Sequence, residues 1–260
     1  MSRLSMPPPD AASLARRDEI VRRLSAIVPG EGVISTENEM RAYESDGLTA
    51  YKQLPFVVVL PETTQQVSEI LKYCHAEGIK VVPRGAGTSL SGGALPLEDG
   101  VLLGLGKFNS ILDIDYENRC VVAQPGVTNL AVTGAVAHQG FYYAPDPSSQ
   151  IACTIGGNIA TNSGGAHCLK YGVTVNNLLG VRMVMMDGEI VEFGGKHLDA
   201  PGYDFLPLIT GSEGQLGVVT EATVRLLAAP EGSRPILIGF DSTEAAASCV
   251  AAIIAAGIVP

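Results

Sequence analysis

The order of apolar and polar positions along the chain predicts short strands alternating with amphipathic helices. Leu14, Ile20, Val21, Leu24 and Ile27 fall on one helical stripe that stops at Pro29-Gly30, so a docking helix is expected after a leader of residues 1–10. Phe56–Leu60 reads as an apolar strand, Thr63–Glu77 as an amphipathic helix stopped by Gly78, and Ile79–Val82 as a second strand. Strand, helix and strand joined by short links imply a right-handed crossover and a small parallel pairing. The segment that begins at Arg84 then lies at the carboxyl end of the second strand, where open α/β sheets commonly bind ligands.

Val101–Leu105, Ile111–Ile114 and Cys120–Ala123 read as further strands, and Pro125-Gly126 precedes a helix expected over Thr128–His138. Leu178–Met186 and Glu189–Phe193 flank Asp187-Gly188, a signal for a hairpin with a tight primed turn. Gly217–Leu227 alternates like one long strand. Pro235–Phe240 reads as one more strand, followed by a helix from about Ser242 to Gly257, which looks like the unfinished start of another unit. The resulting α+β organisation has a leader and docking helices over 1–54 and a main domain over 55–230. That domain divides into lobes of about 55–126 and 127–230, and 231–260 begins a further domain.

Three clusters of small residues interrupt this pattern. Val82–Gly93 is V-P-R-G-A-G-T-S-L-S-G-G, Thr154–Gly165 is T-I-G-G-N-I-A-T-N-S-G-G, and Gly211–Thr220 is G-S-E-G-Q-L-G-V-V-T. An isolated stretch of this kind is commonly just a turn, but three of them suggest loops converging on one large ligand. Runs of free N–H groups in glycine-rich turns form nests for anions, so the first cluster reads as a cradle for a phosphate-bearing cofactor. Thr88, Ser89 and Ser91 would add hydroxyls, and Arg84 one fixed cation. After Gly85 the pattern is G-x-G-x-x-L, which lacks the third glycine of the dinucleotide fingerprint, and no P-loop string occurs. The cradle therefore belongs to some other fold.

Composition narrows the ligand. The formal charge of −10, with no basic run, argues against a nucleic-acid surface and favours a small molecule. Thirty glycines in 260 residues exceed the average share of roughly 7%, and the excess lies largely in the three clusters. Five cysteines without a C-x-x-C pair read as reduced thiols of a cytoplasmic protein. There is no signal-peptide pattern, and the apolar stretch 245–260 is too short and weakly hydrophobic to span a bilayer.

Together with the three clusters, Y-A-P-D-P-S-S (Tyr143–Ser149) and H-C-L-K-Y-G (His167–Gly172) complete a set of five ordered motifs. With these the chain, over about residues 30–260, resembles the FAD-linked subunits of glycolate oxidases and the D-lactate dehydrogenases, within the vanillyl-alcohol-oxidase-type flavoproteins. The resemblance implies a two-lobed FAD-binding domain of that type, with the beginning of a C-terminal cap domain. It implies that Arg84, Gly85, Ala86, Gly87, Thr88, Ser89, Ser91 and Gly92 wrap the pyrophosphate. Pro145, Asp146, Thr154, Gly156, Gly157, Asn158, Thr161, Asn162, Gly164 and Gly165 would line the flavin and its ribityl chain. Tyr171, Glu213, Gly217, Val218 and Val219 would complete the flavin and adenosine contacts, largely through backbone groups. Thr88 stands where some relatives carry a histidine linked to flavin, so the resemblance implies non-covalent binding.

The implied reaction oxidises a 2-hydroxy acid, glycolate or D-lactate, to the 2-oxo acid with hydride passing to flavin. The implied partners are that substrate, an iron–sulfur subunit and a second FAD-domain-like subunit, with at most peripheral attachment to the inner face of a membrane. In full-length relatives, histidines and an acidic residue that bind substrate come from a cap and a return segment. Here His75, His138, His167 and His197 have no metal-ligand spacing, and no metal site or catalytic residue is assigned. His167 and Asp146 each read either as structural or as facing the cofactor. A non-catalytic FAD-binding or scaffold fragment, a remnant unable to hold FAD, and the reductase that completes UDP-N-acetylmuramic acid remain the competing readings.

Overall fold

A computed structural model describes residues 6, 8–197 and 202–259. Two short helices open it, α1 (Ala11–Ala15), with Asp10 accepting from the amides of Ala12 and Ser13, and α2 (Arg17–Ile27). The predicted stripe is real but bends at Arg16, and Ile20, Leu24 and Ile27 are its buried edge. There follow β1 (Val33–Ile34), α3 (Glu37–Met40), β2 (Val57–Val59), α4 (Thr64–Ala76), β3 (Lys80–Arg84) and β4 (Gly100–Gly104). Thr63 caps α4 by accepting from the Gln66 amide, and Gly78 takes a positive φ of 65° just beyond its end.

These strands form one sheet in the order β1-β2-β4-β3, antiparallel at the first pair and parallel at the other two. The crossover through α4 therefore does not pair its two strands with each other, because β4 inserts between them. Val101, Leu102 and Leu103 are wholly buried, the continuous apolar run expected of a parallel central strand covered on both faces. Val57, Val59, Val101 and Leu103 face a core shared with α2 and α4, while Val58 and Leu102 pack with Met40 on the other face. Period-two alternation sends neighbouring side chains into these two cores.

The second sheet draws on β5 (Ile111–Asp115), β6 (Cys120–Ala123), β8 (Leu178–Val184), β9 (Ile190–Gly194) and β10 (Val218–Arg225). Its order is β5-β6-β10-β8-β9, antiparallel throughout. The change of sheet thus falls between Gly104 and Ile111, since β5 pairs with β6 and β6 with β10. In the turn between β8 and β9 only Gly188 takes positive φ, and Gly188 donates to Met185. The turn is longer than the two-residue primed form that Asp187-Gly188 suggested.

Between these strands run α5 (Asn129–Val136), β7 (Phe141–Tyr142), α6 (Ile155–Thr161), α7 (Cys168–Tyr171), α8 (Thr174–Asn177) and α9 (Leu206–Ile209). Val132 and Val136 of α5, Ile155 and Ile159 of α6, and Leu206 and Ile209 of α9 close one core with Val181, Met183, Ala222 and Val224 of the sheet. The two halves meet at α4, whose core also takes in Val184 and Val218, and Ser68 on α4 donates to the Gly188 carbonyl.

The chain continues through β11 (Leu227–Ala228), which pairs with β7, to α10 (Thr243–Ala255), capped by Ser242. The strand predicted over Pro235–Phe240 does not form. Those residues find no neighbouring strand among the described residues, Leu237 is fully exposed, and α10 buries no side chain.

One ion pair on the first sheet predicts an acid response. Asp99 is buried, which by itself would raise its pKa, but hydrogen bonds from Lys80 (2.6 Å) and the Asp10 amide (2.8 Å) outweigh this and hold it below the usual range. Its contribution to stability is complete above the unfolded carboxylate's pKa of about 3.9 and is lost as pH falls through the depressed folded value. Asp99→Asn is expected to lower the melting temperature at pH 7 and to flatten the dependence on pH below 4. Parallel thermal melts of both proteins across pH 2.5–7 check this, and identical acid limbs would refute it.

Candidate cofactor site

The loop after β3, the start of α6 and the turn before β10 meet where the two sheets adjoin. Between them lie two contiguous clefts of about 570 and 760 Å3, measured with their solvent-open mouths. The first is walled by Pro83, Leu105, Pro125, Ile159, Ile209 and Val218 and is mostly apolar. The second is walled by Ala86, Gly87, Thr88 and Ser89 on one side and Ser149, Asn158, Thr161 and Ser163 on the other. Pro83, Gly85, Thr154, Gly157, Ala160 and Glu213 line both, so the clefts form one groove.

The loop supplies anion-binding capacity. The amides of Ala86, Gly87, Thr88, Ser89 and Leu90 donate to no protein atom among the described residues, and Ala86–Ser89 line the groove. A run of unpaired N–H groups at a cleft is what an anionic ligand requires. The start of α6 is different. Ile155 donates to Val127, Gly156 to Pro125, Gly157 to the Thr154 hydroxyl and Asn158 to the Thr154 carbonyl, so its first donors are satisfied within the protein.

Arg84 lines the first cleft as well. Its guanidinium donates to the carbonyls of Tyr43 (3.2 Å), Ala94 (3.3 Å) and Ser45 (2.8 Å), so the charge read as a phosphate partner also ties down main chain. Burial pulls its pKa down, partly offset by Asp46 and Tyr43. The strap from Tyr43 to Leu48 lies on the loop, with the Gly47 amide donating to Gly87 (2.7 Å). Gly87 has a φ of 70° and any Cβ there would collide with the Arg84 guanidinium, so both its conformation and its packing demand glycine. Asp46, buried in the same strap, keeps one carboxylate oxygen without a partner among the described residues.

Of the other sequence-predicted residues, Gly85, Ala86, Gly87, Thr88, Ser89, Thr154, Gly156, Gly157, Asn158, Thr161, Glu213, Gly217, Val218 and Val219 line the groove. Ser91, Gly92, Pro145, Asp146, Asn162, Gly164, Gly165 and Tyr171 do not, and several hold its walls in place. Asn162 ends α6 in the left-handed region and accepts from the Val175 amide. Gly165 packs directly on the Asp146 main chain. Asp146 accepts from His167 Nδ1 at 2.6 Å, which assigns that proton to Nδ1 and fixes the ring. Tyr171 packs edge-on against Tyr142, whose phenol is pushed well above its usual pKa by burial and by this neighbour.

Asn129 was missed by sequence reasoning. It donates to Pro145 O and Asn158 Oδ1, both at 3.0 Å, while Asn158 donates to Cys153 Sγ, so a buried network locks the second wall. Its position one residue after Thr128, at a predicted helix start, carried no signal of this. Pro83, Ser149, Cys153 and Ile209 were also missed as lining residues. Among the described residues no cluster of three or more His, Cys, Asp or Glu could hold a metal, and no helix is long and apolar enough to cross a membrane.

Two adjoining sheets with a glycine-rich, amide-lined groove at their junction define a nucleotide-cofactor domain, and comparison with known proteins places it. Residues 55–194 match the FAD binding domain family, and the chain belongs to that family. The Escherichia coli (strain K12) glycolate oxidase subunit GlcD is 54% identical over 244 residues, covering 94% of this chain and 49% of the relative. A D-lactate dehydrogenase of Archaeoglobus fulgidus is 41% identical over 196 residues, covering 75% of this chain and 44% of the relative. The chain thus spans about half the length of these curated relatives. Among solved structures, an alkyldihydroxyacetonephosphate synthase superposes with a TM-score of 0.74 at 24% identity, covering 88% of this chain and 43% of that one, and shares the fold.

Proposed function

We propose that this chain is the FAD-holding part of an FAD-dependent 2-hydroxyacid dehydrogenase of the glycolate and D-lactate class. The observation that carries the reading is the run of unpaired amides at Ala86–Ser89 beside an apolar cleft, which fits a diphosphate joined to a planar ring. The names of the two relatives supply the substrate class. When bound, the flavin supplies the redox chemistry by accepting hydride from the 2-hydroxy acid.

The chain's own residues bind and orient. The loop amides receive the phosphates, the Asn129–Asn158–Cys153 network holds the wall opposite them, and Arg84 fixes the loop from behind. His167 keeps its proton at Nδ1 against Asp146 at the edge of this wall. Ser91, Gly92, Pro145, Asp146, Asn162, Gly164, Gly165 and Tyr171 act in this reading by shaping the loop and wall. The subunit naming of the GlcD relative supports an assembly of several chains, for which we propose an iron–sulfur subunit and a second FAD-domain-like subunit, in the cytoplasm with at most peripheral membrane attachment.

Purified 1–260 is expected to release FAD on acid precipitation and to keep its visible absorption when glycolate or D-lactate is added without oxygen. A colourless protein that cannot be reconstituted with FAD would sink the cofactor assignment. Bleaching by either substrate would show that groups sufficient for oxidation lie within these residues.

A further inference from the structure

Gly47 lines neither cleft, and we propose that it is nevertheless a positioning residue for the cofactor, turning the loop amides toward its phosphates. This rests on the FAD reading and assigns a task to a residue outside the three small-residue clusters. Gly47 meets three consecutive carbonyls of the loop. Its amide donates to Gly87 at 2.7 Å, and a Cβ placed on it would stand 2.8 Å from both the Thr88 and the Ser89 carbonyl oxygens. Asp46 holds the glycine there: it is buried, and its Oδ1 accepts from the Leu48 amide at 2.9 Å, which closes a turn around Gly47. The Arg84 guanidinium braces the same strap through the Tyr43 and Ser45 carbonyls.

Peptide planarity converts these contacts into a direction. In a trans peptide the C=O and the N–H that follows it point opposite ways, and no peptide bond of the loop is cis. With the carbonyls of Gly87, Thr88 and Ser89 turned to the strap, the amides of Thr88, Ser89 and Leu90 point away from it. Thr88 and Ser89 line the second cleft, and these amides donate to no protein atom among the described residues. The carbonyls matter as much as the amides, because an oxygen facing the groove would repel a phosphate. Only glycine allows this approach. Gly47 does not take a positive φ, so its backbone would accept alanine, and it is the two carbonyl oxygens that exclude a side chain. Since those oxygens belong to main chain, they cannot swing aside as a flexible side chain would, and the loop itself must turn to make room.

The test compares wild type with Gly47→Ala and with Asp46→Ala, which removes the acceptor of the Leu48 amide and adds nothing at Gly47. Ser68→Ala, which loses the bond from α4 to the Gly188 carbonyl, serves as a destabilised control that lines neither cleft. Apo-protein is titrated with FAD by flavin fluorescence, bound FAD is displaced with ADP or with adenosine, and melts without flavin check folding. Wild type is expected to prefer ADP to adenosine by about 10- to 100-fold, the worth of a hydrogen bond or two to a charged group. Gly47→Ala is expected to lose most of that preference and about the same factor in FAD affinity, with adenosine affinity unchanged, and Asp46→Ala to lose part of it. Ser68→Ala should melt lower yet keep the full preference, so that a loss of stability alone does not imitate the effect. A wild-type preference that persists undiminished in folded Gly47→Ala, or in Asp46→Ala should the first variant fail to fold, would overturn the inference, as would wild type that binds FAD without preferring ADP. Wild type that binds no FAD would instead overturn the cofactor reading on which it rests.

Discussion

Gly157→Val is expected to abolish cofactor retention while leaving the fold intact. Gly157 lines both clefts, and a Cβ added there would meet only the Thr154 hydroxyl, at 3.4 Å. Within α6 the exchange is close to neutral, because valine's modest helix penalty is smaller than that of glycine. The isopropyl group therefore occupies space that the protein leaves for a ligand. Overpacking of this kind costs about 3 kcal/mol, or on the order of 100-fold in affinity. Flavin fluorescence titration and an apo-protein melt are the readouts, and unchanged FAD affinity would remove α6 from the site. Gly87→Val should also lose flavin, but with loss of stability, because it strikes the Arg84 guanidinium from a left-handed backbone.

Arg84→Met is expected to destabilise the protein by about 3–5 kcal/mol, since each buried acceptor left without its donor costs about 1–3 kcal/mol. Three main-chain carbonyls, at Tyr43, Ser45 and Ala94, lose their donor, and buried Asp46 loses the favourable field of the guanidinium. For a chain of this size the melting temperature should fall on the order of 10 °C. Arg84→Lys should recover only part, since an ammonium cannot fork to three carbonyls. Adding Asp46→Asn to Arg84→Met should restore some stability, and a fully additive double variant would show that the two charges are not coupled. Denaturant melts of these four proteins and of Asp46→Asn alone decide it.

Long periodic segments were legible before any coordinates. α4, the β8–β9 hairpin and β10 each carry enough apolar repeats to fix their type, with Thr63 and Gly78 marking the ends of α4. β1, β7 and β11 have two residues each and exist only through their pairing partners, so nothing local announces them. α6 hides behind the adjacent glycines Gly156 and Gly157, and only Thr154, whose hydroxyl takes the Gly157 amide, marks its start. The opposite holds at Pro235–Phe240, where an apolar run resembles a strand but no neighbour among the described residues completes its hydrogen bonds.

The three small-residue clusters located the groove, because each is a place where main chain approaches a neighbour or a ligand. The direction of Arg84 could not be read in the same way. Its partners at Tyr43 and Ser45 lie some forty residues earlier, and their carbonyls carry no side-chain signature.

The groove is walled by stretches from both sheets that are far apart in the chain, at 83–94, 154–163 and 209–219. A ligand touching all three acts as a staple between halves that are otherwise joined mainly through α4. By mass action, free cofactor at 100 times its dissociation constant adds about 2.7 kcal/mol to stability. The supply of flavin would then govern how often the seam between the sheets opens, and with it how long the chain survives proteolysis, apart from any role in oxidising a substrate.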